Sequence, residues 1–462
     1  MHIHALQNYR AISKNRKLGQ LLSVIGIWAS LGPPAHAQAL EDTLRSRVGG
    51  GNLVTHLAGK ASSQMYAALH GVGALRARMN SYGWRDLNRN PTPKDFDAAM
   101  LEAYRQGISP IILLEYEGSY QTLNPPQPIG SYADWVAAGA AMAKRFQPDG
   151  EWARANNIAG WGVTTYSAIN EPDVQATIPY AGYHDALAGL ADGIHSVNPR
   201  LRAVPGGFAT CNSHGDATLR GYGPAIADLL EDGRLDGLDL HTYYHSRWYP
   251  LTRGRDFSVQ TCFDRIKAAL GVRRDINFYA TEFNIARLDD WSDPKLAARL
   301  FLTALWDQLG VARADRHSSA TVLAFPWNLG DTERVDGPAY GMANSENPWS
   351  PDPRAVVLRT MLRLAGDMKF TKLDPFGSGT YTLEGSDGQL IVWQNLTGWT
   401  DKPGRAWEVT LPSWAQIAEL WGWDGLRRVI PVHAGDFIIK DLGENETYML
   451  RLPRPHTERG SF

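Results

Sequence analysis

Two glutamates draw attention by what flanks them. Glu171 lies in "YSAINEPDV", between Asn170 and Pro172 at the close of an apolar, β-branched run, and Glu282 lies in "INFYATEFN", at the close of another. Two carboxyl groups in contrasting surroundings can do what cleavage of a glycosidic bond requires. One stays neutral at rest and protonates the leaving oxygen, while the other stays ionised and attacks the anomeric carbon. An ionised carboxylate of that kind needs a cation beside it. Arg76 and Arg78 are two residues apart on one predicted strand, hence on one face, and either could supply the charge. A phenol, Tyr243, could donate to the same carboxylate, and the Asn170 amide could grip a sugar hydroxyl in the transition state. His241, Trp327 and Glu115 close other β-branched runs and join the candidates. Each has an ordinary explanation when taken singly: a surface acid, a packed histidine, a Trp plugging a core. Their joint placement at the ends of successive runs is what carries weight.

Those runs number eight: "GGNLVTHL", "ALRARMN", "SPIILLEY", "WGVTTYSAIN", "LRAVPGGFA", "LDGLDLHTYY", "INFYATEFN" and "TVLAFPWNL". Amphipathic helical stretches separate them, such as "PKDFDAAMLEAYRQG" and "DPKLAARLFLTALWDQLG". The second opens with an Asp N-cap and Pro at the first helical position and closes on Gly. Eight strand–helix units predict a closed (β/α)8 barrel, with Glu171 ending the fourth strand and Glu282 the seventh, at the C-terminal face where barrel chemistry sits. The rival, an open doubly wound sheet, would want a Gly-rich phosphate turn, and no GxGxxG follows an early strand. Beyond about residue 366 the rhythm changes to short alternating runs split by Gly, Asp, Pro and Asn, which predicts an antiparallel β-sandwich. The expected boundaries are 38–365 for the barrel, 366–455 for the sandwich and 456–462 for a polar tail. Six tryptophans, Trp393, Trp399, Trp407, Trp414, Trp421 and Trp423, fall in the sandwich, where core packing is expected ahead of an exposed sugar-binding row.

The bulk properties fit this reading. The chain has 462 residues, 44% apolar and 20% charged, with a formal net charge of −2. Neutrality gives no reason to expect nucleic acid or an anionic membrane as partner. A basic "KNRK", an apolar "LGQLLSVIGIWASLG" too short to span a bilayer comfortably, and a small-x-small "AHA" predict a signal peptide over residues 1–37 and export to the periplasm or medium. The exported chain is then expected to be free of the membrane and monomeric. Its two cysteines, Cys211 and Cys262, permit one disulfide in an oxidising compartment, or two separate buried thiols. Neither has metal-ligand spacing, so no metal and no cofactor is expected.

"NEPD" (Asn170–Asp173), "LHTYY" (Leu240–Tyr244), "YATEFN" (Tyr279–Asn284) and the C-terminal sandwich together resemble the clan A glycoside hydrolases, and within them glycoside hydrolase family 39 with its exopolysaccharide-hydrolase branch. The resemblance spans about residues 48 to 455. It implies that Glu171 is general acid/base and Glu282 nucleophile. It also implies that Tyr243 orients the nucleophile with Arg78 beneath it, that His241 belongs to a strand-six His-x-Tyr, and that Trp327 forms a sugar platform. The substrate implied is a poly- or oligosaccharide, a bacterial exopolysaccharide among them. Ile169 and Phe283 stand where that family usually has Trp, which bears on its xylosidase specificity at the pocket wall. Two other readings use the same cleft: a non-catalytic carbohydrate-binding protein, separable by a hydrolysis assay, and a transglycosylase, separable by products formed with an added acceptor sugar.

Overall fold

The computed structural model of the protein describes residues 42–54, 60–80, 94–115, 129–175, 178–209, 221–244, 258–285, 293–327, 329, 341–342, 351–373, 380–393, 406–443 and 446–455. The signal segment, Cys211, Trp399 and the tail therefore lie outside the described residues.

The predicted barrel forms. Its strands are β1 (Gly50–Val54), β2 (Arg76–Asn80), β3 (Ser109–Leu114), β4 (Thr165–Ala168), β5 (Arg202–Pro205), β6 (Gly237–Asp239), β7 (Thr242–Tyr244), β8 (Asn277–Ile285) and β9 (Thr321–Pro326). β1 to β5 pair in sequence order, all parallel. β6, β7 and β9 all pair with β8, also in parallel. Two single bridges close the ring, Phe208 to Leu240 between β5 and β6, and Val48 to Ala324 between the entry to β1 and β9. Strands buried on both faces read as continuous apolar runs, which is why "IILL" in β3 does not alternate. Ile111, Val204, Tyr279, Leu323 and Phe325, all on barrel strands, form one buried apolar cluster.

The helices start where capping chemistry dictates. Asp293 accepts from the Lys295 N–H to cap helix Pro294–Leu309, and Asp352 accepts from Arg354 and Ala355 N–H to cap helix Pro353–Ala365. These two helices receive the second layer. Trp306 of the first stacks on Tyr381 at 4.9 Å and meets Phe370 edge-on at 5.7 Å. Tyr381, Leu383, Leu390, Val392 and Met449 of the sandwich belong to the same continuous core as the barrel's outer face.

The sandwich comprises β10 (Lys369–Lys372), β11 (Thr380–Gly385), β12 (Gly388–Trp393), β13 (Trp407–Leu411), β14 (Ile417–Trp421), β15 (Leu426–Pro431), β16 (Gly435–Ile439) and β17 (Tyr448–Pro453). Six form one antiparallel sheet in the order β10-β11-β12-β17-β14-β15, and β13 pairs with β16. Trp407 is buried, with Trp393 stacked on it at 5.7 Å. Trp414, Trp421 and Trp423 are half-buried against the two cores. The five described sandwich tryptophans are thus packed rather than set out in a row.

One departure from the sequence expectation bears on the site. The sixth predicted strand is broken at Leu240–His241 into β6 and β7. The partner β8 has an irregularity at the same level. Asp239 pairs with Tyr279 and Thr242 with Phe283, so Leu240 and His241 face three residues of β8. On the other side, Ala324 pairs with Ala280 and Pro326 with Phe283, so Phe325 faces both Thr281 and Glu282. A β-bulge of this kind kinks the strand and re-aims its side chains.

Candidate active site

The bulge decides what the seventh predicted strand delivers. In a regular strand Thr281 and Glu282 would point to opposite faces. Here both are buried and both touch Arg78, which donates through Nη1 to Thr281 Oγ1 at 3.3 Å and through Nη2 to Glu282 Oε1. The other Glu282 oxygen accepts from the Tyr243 hydroxyl at 2.6 Å. The strand itself continues three residues past Glu282, to Ile285. Burial alone would raise the Glu282 pKa. The Arg78 charge, then the His241 charge and the Tyr243 hydrogen bond, outweigh it and hold the carboxyl below its ordinary range. Glu282 is therefore held ionised.

Which arginine serves is a matter of depth. Arg76 and Arg78 share a face, but Arg76 lies one layer deeper and donates to the Ser46 carbonyl at 3.3 Å. Arg78 reaches the site, also donating to Asn170 Oδ1 at 3.3 Å, with its guanidinium 5.8 Å from the centre of the Trp327 ring. Trp327 is half-buried at the end of β9, and Asn284 donates to its carbonyl.

Glu171 arrives on backbone of a rare kind. Ile169 has φ +64° and Glu171 φ +43°, both in the left-handed region that β-branched and long side chains avoid. Such conformations cost on the order of 1–3 kcal/mol each and persist where neighbours over-determine them. Three successive N–H groups are tied down here. Ile169 donates to the Leu114 carbonyl at 3.0 Å, Asn170 to Glu115 Oε1 at 3.1 Å, and Glu171 to the Gly207 carbonyl at 3.0 Å. Glu115 thus lies buried beneath Asn170 and fixes its backbone. Ile169, expected at the pocket wall, is 1% exposed and belongs to the core. It turns the chain rather than lining the cleft.

The Glu171 side chain stays 18% exposed, against 7% for Glu282. Its Oε1 meets His241 Nδ1 at 2.8 Å, and His241 Nε2 meets Thr281 Oγ1 at 3.1 Å. Asp239, wholly buried, accepts from the Thr281 hydroxyl at 2.6 Å and from its N–H at 3.0 Å. Burial alone would lower the His241 pKa. The Glu282 charge, the hydrogen bond with Glu171 and the Asp239 charge outweigh it and raise it to about 9. The structure therefore brings Glu171, Glu282, Asn170, Arg78, His241, Tyr243 and Trp327 together, with Glu115 one layer below.

Four contributors were not singled out from the sequence. Asp239 lies two residues before His241 on one strand face, a period-two signal that was readable. Thr281 depends on the bulge, Gly207 on the ring that packs over it, and Asn284 on a loop carbonyl distant in sequence.

One oxygen of each glutamate and one His241 nitrogen lie within 4.8 Å of one another, a spacing that could bind a cation. Arg78 and Tyr243 donate to the two Glu282 oxygens, and Glu171 and Thr281 meet the two His241 nitrogens. The fixed positive charge in the cluster is the guanidinium.

A pH dependence of stability follows from these shifts. A histidine whose folded pKa is raised contributes stability that is complete below its unfolded value of 6.5 and lost as pH rises through about 9. The urea midpoint is expected to decline across that window, and His241→Gln to flatten the decline. An unchanged alkaline slope in the variant would count against the assignment.

No family model matches the chain, and no curated protein matches it in sequence. Its fold, however, is that of solved glycosidases. A glucosidase from Croceicoccus marinus superposes with a TM-score of 0.61 at 10% identity, covering 90% of this chain and 97% of the other. A family GH39 β-xylosidase from Caulobacter crescentus gives 0.57 at 14% identity over 90% and 97%. A glycoside hydrolase family 30 subfamily 8 xylanase from Clostridium acetobutylicum gives 0.56 at 14% over 89% and 97%. The likeness establishes a barrel with a C-terminal sandwich, and it spans several glycosidase families rather than family 39 alone.

Proposed function

We propose that this protein is an exported, monomeric glycoside hydrolase that cleaves a poly- or oligosaccharide with retention of configuration. The observation that carries the reading is the pair of carboxyl groups in contrasting surroundings, Glu282 buried on Arg78 and Glu171 more open on His241, with one oxygen of each within 4.8 Å of the other. Retaining enzymes hold the two groups about 5–5.5 Å apart, inverting ones about 6.5–9.5 Å. Glu171, on the open side, protonates the glycosidic oxygen as the bond to it breaks. Glu282, held ionised by Arg78 and aimed by Tyr243, bonds to the anomeric carbon. Glu171 then takes a proton from the water that releases the sugar. Asn170, oriented by Arg78, is placed to bind a hydroxyl of the reacting sugar, and Trp327 to stack under its ring. The leader over residues 1–37 would be removed after Ala37.

A screen of the purified protein against polysaccharides and chromogenic glycosides tests the reading. Release of reducing ends by the wild type and none by Glu171→Ala is expected; equal activity in both would refute it. N-terminal sequencing of the exported protein, expected to begin at Gln38, tests the leader.

A further inference from the structure

Behind Glu171 a hydrogen-bonded line runs inward through His241 and Thr281 to Asp239, and its hydrogens can be placed by elimination. Both Asp239 oxygens accept from Thr281, one from its N–H at 3.0 Å and one from its hydroxyl at 2.6 Å. A hydroxyl has one hydrogen, so Thr281 Oγ1 can only accept from its other neighbours. Those are Arg78 Nη1 at 3.3 Å, a group that cannot accept, and His241 Nε2 at 3.1 Å. Nε2 therefore carries a hydrogen whether the ring is neutral or charged. The nitrogen that gains and loses a proton is Nδ1, and it faces Glu171 Oε1 at 2.8 Å. One mobile proton lies on that line.

We propose, resting on the reading of Glu171 as general acid/base, that Asp239, Thr281 and His241 form a relay that stores the catalytic proton on the His241–Glu171 pair. As the glycosidic bond breaks, its electron pair goes to the leaving oxygen and the stored proton follows through Glu171 Oε1. When water attacks, its proton returns to the pair and Glu282 leaves as a carboxylate. His241 and Asp239 touch no substrate in this scheme; they position and supply the proton. The charged groups around His241 come from several elements: Glu171 after β4, Asp239 on β6, Glu282 on β8 at 3.7 Å, and Arg78 on β2 through Thr281, with Tyr243 of β7 reaching Glu282. Three carboxylates against one guanidinium favour the charged ring, which agrees with its pKa of about 9. A ring that merely packs against Gly207 would need neither a fixed tautomer nor a buried Asp239.

Long-range proton–nitrogen NMR on the full-length protein labelled with 15N-histidine tests this without any substrate. The His241 signals are assigned by their loss in His241→Gln. Expected are an Nε2 that stays protonated throughout and an Nδ1 that titrates in the alkaline range. In Asp239→Asn that midpoint should fall by about one pH unit, a tenfold change in proton affinity. Thr281→Val, which removes a single hydroxyl, provides the same comparison if Asp239→Asn does not fold. In turnover, the alkaline limb of kcat/KM should move to lower pH in Asp239→Asn. The shift should be larger for 4-nitrophenyl than for 2,4-dinitrophenyl glycosides, whose leaving group needs less protonation. A neutral Nδ1–H tautomer, or a midpoint unmoved in both variants, overturns the relay. A correct titration in a protein without hydrolytic activity would instead overturn the proposed function and leave the relay standing.

Discussion

Glu282→Ala is expected to abolish turnover, with a loss on the order of 10⁴-fold or more, because in the proposed mechanism Glu282 forms the covalent bond that splits the reaction into two easier steps. The loss should appear in kcat, since the proposed role of Glu282 is bond formation rather than binding of the sugar hydroxyls. The variant also leaves Arg78 buried without its partner, and breaking a buried ion pair costs about 3–5 kcal/mol. Glu282→Gln separates these effects. It keeps the shape and an acceptor for Arg78, so it should retain more stability while remaining inactive. Azide or formate should partly restore turnover of an activated glycoside in Glu282→Ala, because a small anion fits the space beside the Arg78 guanidinium. Full activity in either variant would remove Glu282 from the mechanism.

Gly207→Ala is the second large effect. Gly207 has φ +99°, and a Cβ there would lie 2.1 Å from His241 Nε2. The substitution strains the backbone and pushes on the ring that meets both Glu171 and Thr281. It also disturbs the carbonyl that accepts the Glu171 N–H at 3.0 Å. A loss of roughly 2–4 kcal/mol is expected from strain and overpacking together. Turnover should fall further than stability explains, because Glu171 loses both its backbone anchor and its histidine. Gly271→Ala is the control: φ is +70°, but nothing lies within 4 Å of the added carbon. It should cost about 1 kcal/mol in urea denaturation and leave turnover unchanged. Equal effects of the two substitutions would show that the contact with His241 is unimportant.

What the sequence made legible follows physical lines. The eight barrel strands were readable because parallel strands buried on both faces are dense in Val, Ile and Leu, and their order placed Glu171 and Glu282 at one rim. The sandwich strands β10 and β15 lack a clear alternating pattern, and both are edges of the six-stranded sheet. "KFTK" and "LRRVIP" carry charge where an edge must discourage further pairing, so they lack the alternation that marks a buried face. The choice between Arg76 and Arg78 needed depth along the barrel axis. That depth is set by the register in which Arg78 lies level with Asn52 and Ile111. The break at Leu240–His241 and the pairing of Thr281 with Glu282 on one side come from a mismatch between strands some forty residues apart, which no local pattern encodes. Ile169 misled for a related reason. A β-branched residue suggests extended backbone, and only the three anchored N–H groups reveal why the chain turns left-handed there. The core of the site was legible as residue types at strand ends; the parts that orient it belong to pairings the sequence does not display.

The stereochemistry of the first product tests the two-carboxylate account most directly. Proton NMR of the anomeric signals, followed from the earliest minutes on whichever glycoside the screen identifies, reports the configuration released before mutarotation. Double displacement through Glu171 and Glu282 predicts a product of the same anomeric configuration as the substrate. Release of the opposite anomer would mean that water, not Glu282, attacks the anomeric carbon, and would contradict the account.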